Sequence, residues 1–147
     1  MILFVHLLFG AAIGSTIKNI PLAIVLAFLG HYFLDLLPHV DYSVENIKNK
    51  QKMLLDFAKV ALDIFCGVLL IFIFSKNQPI IYVCAFFAVI PDGLSAINYF
   101  IPNKILTWHA RLHTEKIHFL RNKKISNFWR LMTQIIMAII SIFLLRI

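Results

Sequence analysis

The sequence predicts an all-α polytopic membrane bundle of about five hydrophobic helices plus one amphipathic interfacial helix, in a single domain over residues 1–147. The chain is 61% hydrophobic and 14% charged, with a mean hydropathy of +0.85. Soluble domains carry about 45–50% apolar and about 25% charged residues, so the excess is too large for a core surrounded by water. The apolar residues also fall into long runs, separated by connections that hold most of the Lys and Arg.

The first run covers residues 2–16 and contains His6. It reads as a short helix rather than a cleaved leader, because no basic segment precedes it and a leader gains nothing from His6. Lys18, Asn19 and Pro21 then mark a tight turn into a second run, 20–37, giving a helical hairpin. Pro38 should end that helix near Leu37, since the residue before proline avoids the helical region. The third run, 53–74, and the fourth, 79–99, are long enough to span. Pro91 lies inside the fourth, where a kink or break is expected. A fifth run covers 127–147.

Between the last two runs lies the only long polar stretch, 100–126. Within it Leu106, Ala110, His113, Ile117 and Leu120 recur on one helical arc, with His109 close to the arc and His118 pointing away. Basic residues fill the remainder, so the segment 104–124 reads as an amphipathic helix on the membrane surface. The 38–52 and 100–126 segments hold Lys48, Lys50, Lys52, Lys104, Arg111, Lys116, Arg121, Lys123 and Lys124, whereas the opposite side holds Lys18, Lys76 and Arg146. That asymmetry places the N-terminus and the 100–126 segment in the cytoplasm, in a multi-pass protein of the cytoplasmic (inner) membrane. It also accounts for the net charge of +7 without nucleic acid as a partner, because no basic patch stands apart from the flanks of the runs. Membrane lipids, with anionic head groups at the basic segment, are the expected partners.

Against this apolar background, one block stands out: His31-Tyr-Phe-Leu-Asp35-Leu-Leu-Pro38-His39-Val-Asp41. Ionisable groups in a bilayer are costly and persist where they pair, line a cavity or bind an ion. His31 and Asp35 are four apart and share a helix face. At 1.5 Å per residue, His31 and Asp92 each lie about 10 Å below the cytoplasmic end of their helices, Asp35 lies about one turn shallower, and Asp63 lies about 15 Å deep. His6 is near the N-terminus, and His113 is on the surface helix at the same face. Four segments therefore bring imidazoles and carboxylates to one level.

Imidazole with carboxylate suits a divalent metal, with zinc favoured and manganese or iron as alternatives. His31, Asp35, Asp92 and His113 are the first ligand candidates, with His39 and His6 as further ones. Asp63 and Asp41 are candidate catalytic groups, Asp63 as a ligand or as the base that activates water. Beyond Pro38, His39 and Asp41 are expected at the mouth of the site. Sharing one ion requires the four first candidates to lie within about 8 Å of one another. Plainer roles compete for each group. His31 and Asp35 could be a packing pair, Lys59 could pair with Asp63, and Asp92 could cap a helix resumed after Pro91. His39 and Asp41 could be solvated loop residues, and His6 a hydrogen-bonded core histidine. His118, Glu115, Asp56 and Glu45 read as surface. No serine nucleophile elbow, Walker loop, GxGxxG or HExxH motif is present, and neither Ser15 nor Ser95 has a neighbouring base in sequence. Cys66 and Cys84, inside apolar runs, read as packing residues.

The His31-x3-Asp35-x2-Pro38-His39-x-Asp41 pattern, after a His6-containing hairpin, resembles bacterial inner-membrane proteins of the membrane-bound metal-dependent hydrolase family. Ile90-Pro91-Asp92 and His109-Ala-Arg111-Leu-His113-Thr114 match the later Pro-Asp and the histidine-bearing basic segment. The order in the last differs from the family's His-Arg-x-x-Thr-His. The resemblance implies a bound metal and hydrolysis; the Lys and Arg of the surface helix, which attract anionic head groups or phosphate, make a lipid-like ester or phosphoester the expected substrate. The alternative is a non-enzymatic membrane protein whose His/Asp cluster is a structural polar core or a metal-binding or transport site. Translocation needs polar groups through the full depth of the membrane, and the distal half has almost none.

Overall fold

At the centre of the protein lies a short helix, α1 (Leu3–Thr16), which touches α2 (Ile20–Asp35), α3 (Lys50–Phe74), α4 (Pro79–Phe100) and α6 (Asn127–Arg146). The remaining helix, α5 (Lys104–Arg111), continues as a π-helical turn over Leu112–Ile117. The computed structural model describes residues 1–40, 50–120 and 123–147, and every element among them is helical.

α1 is buried on several sides because its sequence is apolar all round. Val5, Leu7, Leu8, Ala11 and Ala12 sit in the core with Ile71 of α3, Ile81 and Ala85 of α4, and Ala138 and Leu145 of α6. Its closest approach is to α4, through small residues. A Cβ added to Gly10 would lie 2.5 Å from the Ala88 Cβ and 2.6 Å from the Cys84 carbonyl oxygen, and one on Gly14 would lie 2.9 Å from the Ile80 oxygen. Small residues four apart let two backbones meet this closely.

Among the described residues, three helices are long and apolar enough to cross a membrane: α3 from Met53 to Phe74, α4 and α6. α1 and α2, at 14 and 16 residues, are shorter apolar helices. The outer faces suit lipid: Leu62, Phe65 and Phe72 on α3, and Ile136, Ile139 and Phe143 on α6, are all exposed.

Local signals act as their chemistry dictates. Asn19 caps α2 by accepting from the Leu22 amide at 3.0 Å, and Asn103 caps α5 by accepting from the Leu106 amide at 2.9 Å. α2 stops at Asp35, just short of Pro38. Two expectations change. α4 runs through Pro91 without a break, so Asp92 lies inside a helix and does not cap a resumed one. The surface segment is not one regular helix either: the α-helix ends at Arg111 and a π turn follows. The inward arc survives that change, with Leu106, Ala110, Ile117 and Leu120 half-buried and His113 buried.

Candidate metal centre

Asp35 is the hub. Its side chain is wholly buried, and nitrogen atoms converge on both of its oxygens. On Oδ2 lie the Nε2 atoms of His31 at 3.0 Å, His113 at 3.0 Å and His118 at 3.2 Å. On Oδ1 lie the Met1 amino group at 2.6 Å, His6 Nε2 at 3.2 Å and His39 Nε2 at 3.8 Å. Asp92 Oδ1 completes one side, 3.8 Å from His31 Nε2 and 3.9 Å from His113 Nε2.

Four elements supply these groups. α2 carries His31 and Asp35 one turn apart on its buried face. α1 contributes His6, whose ring stacks on His31 with centroids 4.2 Å apart. α4 contributes Asp92, and the segment after α5 contributes His113 and His118. The π turn explains the last of these. In a regular α-helix, residues five apart are rotated by about 140°, which sends His118 away from His113. The π turn bonds the His118 amide to the His113 carbonyl at 3.1 Å, five residues back, so the two rings come onto one side. Their centroids are 4.7 Å apart.

The second ring nitrogens are already occupied. His31 Nδ1 donates to the Ala88 carbonyl at 2.8 Å. Ser95 gives its hydroxyl hydrogen to the Pro91 carbonyl at 3.1 Å, and its oxygen then accepts from His113 Nδ1 at 3.3 Å. A neutral His31 and a neutral His113 therefore both present Nε2 lone pairs, only 2.9 Å apart and each against a carboxylate oxygen. Acceptors crowd acceptors, and a metal ion among them, or a proton on one ring, removes the conflict. The polar partners on the far side of each ring are the usual means of fixing a metal-binding imidazole.

The dimensions fit. Two donors about 2.1 Å from one tetrahedral ion sit about 3.4 Å apart. The separations of 2.9, 3.0, 3.8 and 3.9 Å bracket that value. Among the described residues, two groups are able to hold an ion: His31, Asp35, Asp92 and His113, and Asp35, His39 and His118, with the donor atoms of each group within 4.8 Å of one another. Asp92 is the open side of the first group, with its side chain 32% exposed, while the histidines are nearly enclosed.

The other expected residues divide. His39 is buried rather than at a solvated rim, and its Nδ1 donates to the Leu37 carbonyl at 2.6 Å. Asp63 belongs to neither ligand group; its Oδ2 accepts from the Phe4 amide at 3.1 Å, satisfying an orphan donor in the first turn of α1. Lys59 pairs with Asp56 at 3.1 Å rather than with Asp63. Asp41 lies outside the described residues. His118, read from sequence as surface, is in the cluster. His109 hydrogen-bonds Tyr32 at 3.0 Å beside it, and burial, together with His113 and His31, lowers its pKa below the ordinary histidine value.

Arg130 of α6 was not singled out by any motif. It donates to the carbonyls of His39 at 3.0 Å, Leu120 at 3.0 Å and Lys123 at 3.1 Å. Gln134, one turn on, donates to the Val40 carbonyl at 2.8 Å. α6 thereby ties the strand of chain after Pro38 to the exit of the π turn. The sequence signal is only a cation near the start of an apolar run.

Fold and site together define a class: an all-helical protein with helices able to cross a membrane and a buried His/Asp cluster able to hold a metal ion. No family model matches the chain, and neither a curated protein nor a solved structure matches it.

Proposed function

We propose that the chain is a metal-dependent hydrolase of the cytoplasmic membrane, with a His/Asp site that opens to the cytoplasmic face and acts on a lipid-like ester or phosphoester. The observation that carries the reading is the 2.9 Å approach of two imidazole nitrogens whose partner nitrogens already donate elsewhere. The resemblance to membrane-bound metal-dependent hydrolases points the same way. Zinc is favoured, because imidazole and carboxylate are mixed in the donor set, with manganese or iron as alternatives.

His31, Asp35, His113 and Asp92 would hold the ion. A divalent ion supplies Lewis acidity toward a carbonyl or phosphoryl oxygen and brings the pKa of water from about 15.7 toward about 7. Ala88 and Ser95 keep the His31 and His113 rings oriented. Asp92 is the group through which water and substrate reach the cluster. Hydrolysis forms a bond from water oxygen to phosphorus or acyl carbon, breaks the ester bond and passes a proton to the leaving alcohol. An anionic head group would rest in the groove lined by Pro102, Asn103, Lys104, Thr107, Trp108 and Arg111. There the cations meet phosphate, and the exposed Ile105 and Trp108 side chains face the acyl region.

A structural polar core is the second reading. It is favoured by the Met1 amino group, a cation already 2.6 Å from Asp35. The two are separated by purifying the full chain in detergent and measuring bound metal and phosphodiester hydrolysis in wild type, His31→Ala and Asp92→Ala. Near-stoichiometric metal that falls in both variants, with activity that falls in parallel, is the expected result. Wild type without metal sinks the hydrolase.

A further inference from the structure

We infer that the cluster is dinuclear, with the Asp35 carboxylate bridging the ion held by His31, His113 and Asp92 to a second ion held by His39 and His118. This rests on the metal reading above and extends it. The second group has its own donors. His39 Nε2 lies 3.1 Å from His118 Nδ1 and 3.8 Å from Asp35 Oδ1, the oxygen turned away from the first group. The Met1 nitrogen and His6 Nε2 lie on that same oxygen at 2.6 and 3.2 Å. The Nδ1 atom of the wholly buried His6 has no hydrogen-bond partner among the described residues.

The protons of His118 set the choice between an ion and a protonated ring at this second group. His39 Nδ1 donates to the Leu37 carbonyl, so a neutral His39 presents a lone pair at Nε2. A neutral His118 has one N–H. If it sits on Nδ1 it satisfies His39, but the Nε2 lone pair then faces Asp35 Oδ2 at 3.2 Å. If it sits on Nε2 it satisfies Asp35, but two lone pairs then meet at 3.1 Å between His39 and His118. Each neutral tautomer leaves one conflict, which either a second proton on His118 or an ion removes. An ion between His39 Nε2, His118 Nδ1 and Asp35 Oδ1 removes the second and keeps the His118 Nε2–H bond to Asp35 Oδ2. A carboxylate with one oxygen on each side is the usual bridge of a two-metal site, where the ions lie about 3.5–4 Å apart and clamp the attacking and leaving oxygens of a phosphoester.

The test counts ions and measures their coupling. The full chain, in detergent, is loaded with Zn²⁺ for elemental analysis and with Mn²⁺ for electron paramagnetic resonance. Two equivalents of Zn²⁺ per chain and an exchange-coupled Mn²⁺ pair are expected. His118→Gln should retain one equivalent and show an uncoupled signal. One equivalent in wild type overturns the second site, assigns a protonated His118 in its place, and leaves the hydrolase reading standing. Two equivalents without coupling overturn the bridge. No bound metal overturns both readings. The wild-type measurements decide the matter even if the variant fails to fold.

Discussion

His31 Nε2 and His113 Nε2 lie 2.9 Å apart although the two residues are 82 positions apart in the chain. Both rings donate from Nδ1, to Ala88 and to Ser95, so between neutral rings the approach brings acceptor against acceptor, which a metal ion or a proton on one ring relieves. The cluster should therefore be a source of instability when stripped and of stability when loaded. A ligand that binds only the folded state stabilises by about 2.7 kcal/mol at one hundred times its Kd. Removing metal with a chelator should lower the Tm in detergent, and stoichiometric Zn²⁺ should restore it. A Tm indifferent to both treatments would refute the cation.

Much of this arrangement was legible in the sequence. His31 and Asp35 announce themselves by helical spacing in an apolar run, and the inward arc from Leu106 to Leu120 is the face that packs. His118 was not legible, because 3.6-residue periodicity turns it away and only the π turn brings it back. Asp63 misled for a different reason. Depth along a helix says how far a group lies from the interface, but not which neighbour its face meets; here that neighbour is the start of α1.

Asp63 should accordingly behave as a structural residue. Asp63→Ala removes the acceptor for the Phe4 amide and should destabilise the fold by about 0.5–2 kcal/mol, as loss of a helix-start acceptor does. Metal content should stay at the wild-type level. Elemental analysis beside thermal unfolding checks this, and loss of metal from a folded Asp63→Ala protein would return Asp63 to the site.

Arg130 donates to backbone carbonyls on two separate segments, among them those of His39, Leu120, Lys123 and Ile125. A charged hydrogen bond is worth about 1.5–3 kcal/mol, and lysine lacks the planar fork that reaches several acceptors. Arg130→Lys should weaken metal binding where His39 and His118 contribute more than where His31 and His113 do. Titration with Zn²⁺ should show the weaker step shifted at least tenfold and the tighter step unchanged. Equal shifts in both steps would mean that Arg130 supports the fold at large.

Gly10 sets the distance between α1 and α4. A side chain there would meet the Cys84 carbonyl and the Ala88 Cβ, neither of which is a flexible tip that can swing aside. Overpacking of this kind costs about 1–3 kcal/mol or more. Gly10→Val should lower the Tm and also loosen the metal site, because His6 rides on α1 and Ala88 accepts from His31. Gly93, with open space where its Cβ would be, is the control: Gly93→Ala should leave both unchanged. A Gly10→Val protein as stable as wild type would show that the helices can separate without loss.

His109 gives the pH dependence a sign. Burial first, and then the neighbouring His113 and His31, lower its pKa in the folded protein. In the unfolded chain the imidazole titrates near about 6.5. Above that pH both states are neutral at this residue and it favours neither. As the pH falls through about 6.5, the unfolded chain takes up a proton that the folded chain refuses, so stability is lost on the acid side. His109 Nε2 also hydrogen-bonds the Tyr32 hydroxyl at 3.0 Å. His109→Gln keeps a side chain able to hydrogen-bond Tyr32 but has nothing to titrate. With Zn²⁺ held saturating, the fall in Tm from pH 7.5 to pH 5.5 should be smaller in His109→Gln than in wild type. An equal fall in the two proteins would assign the acid sensitivity to the other histidines of the cluster.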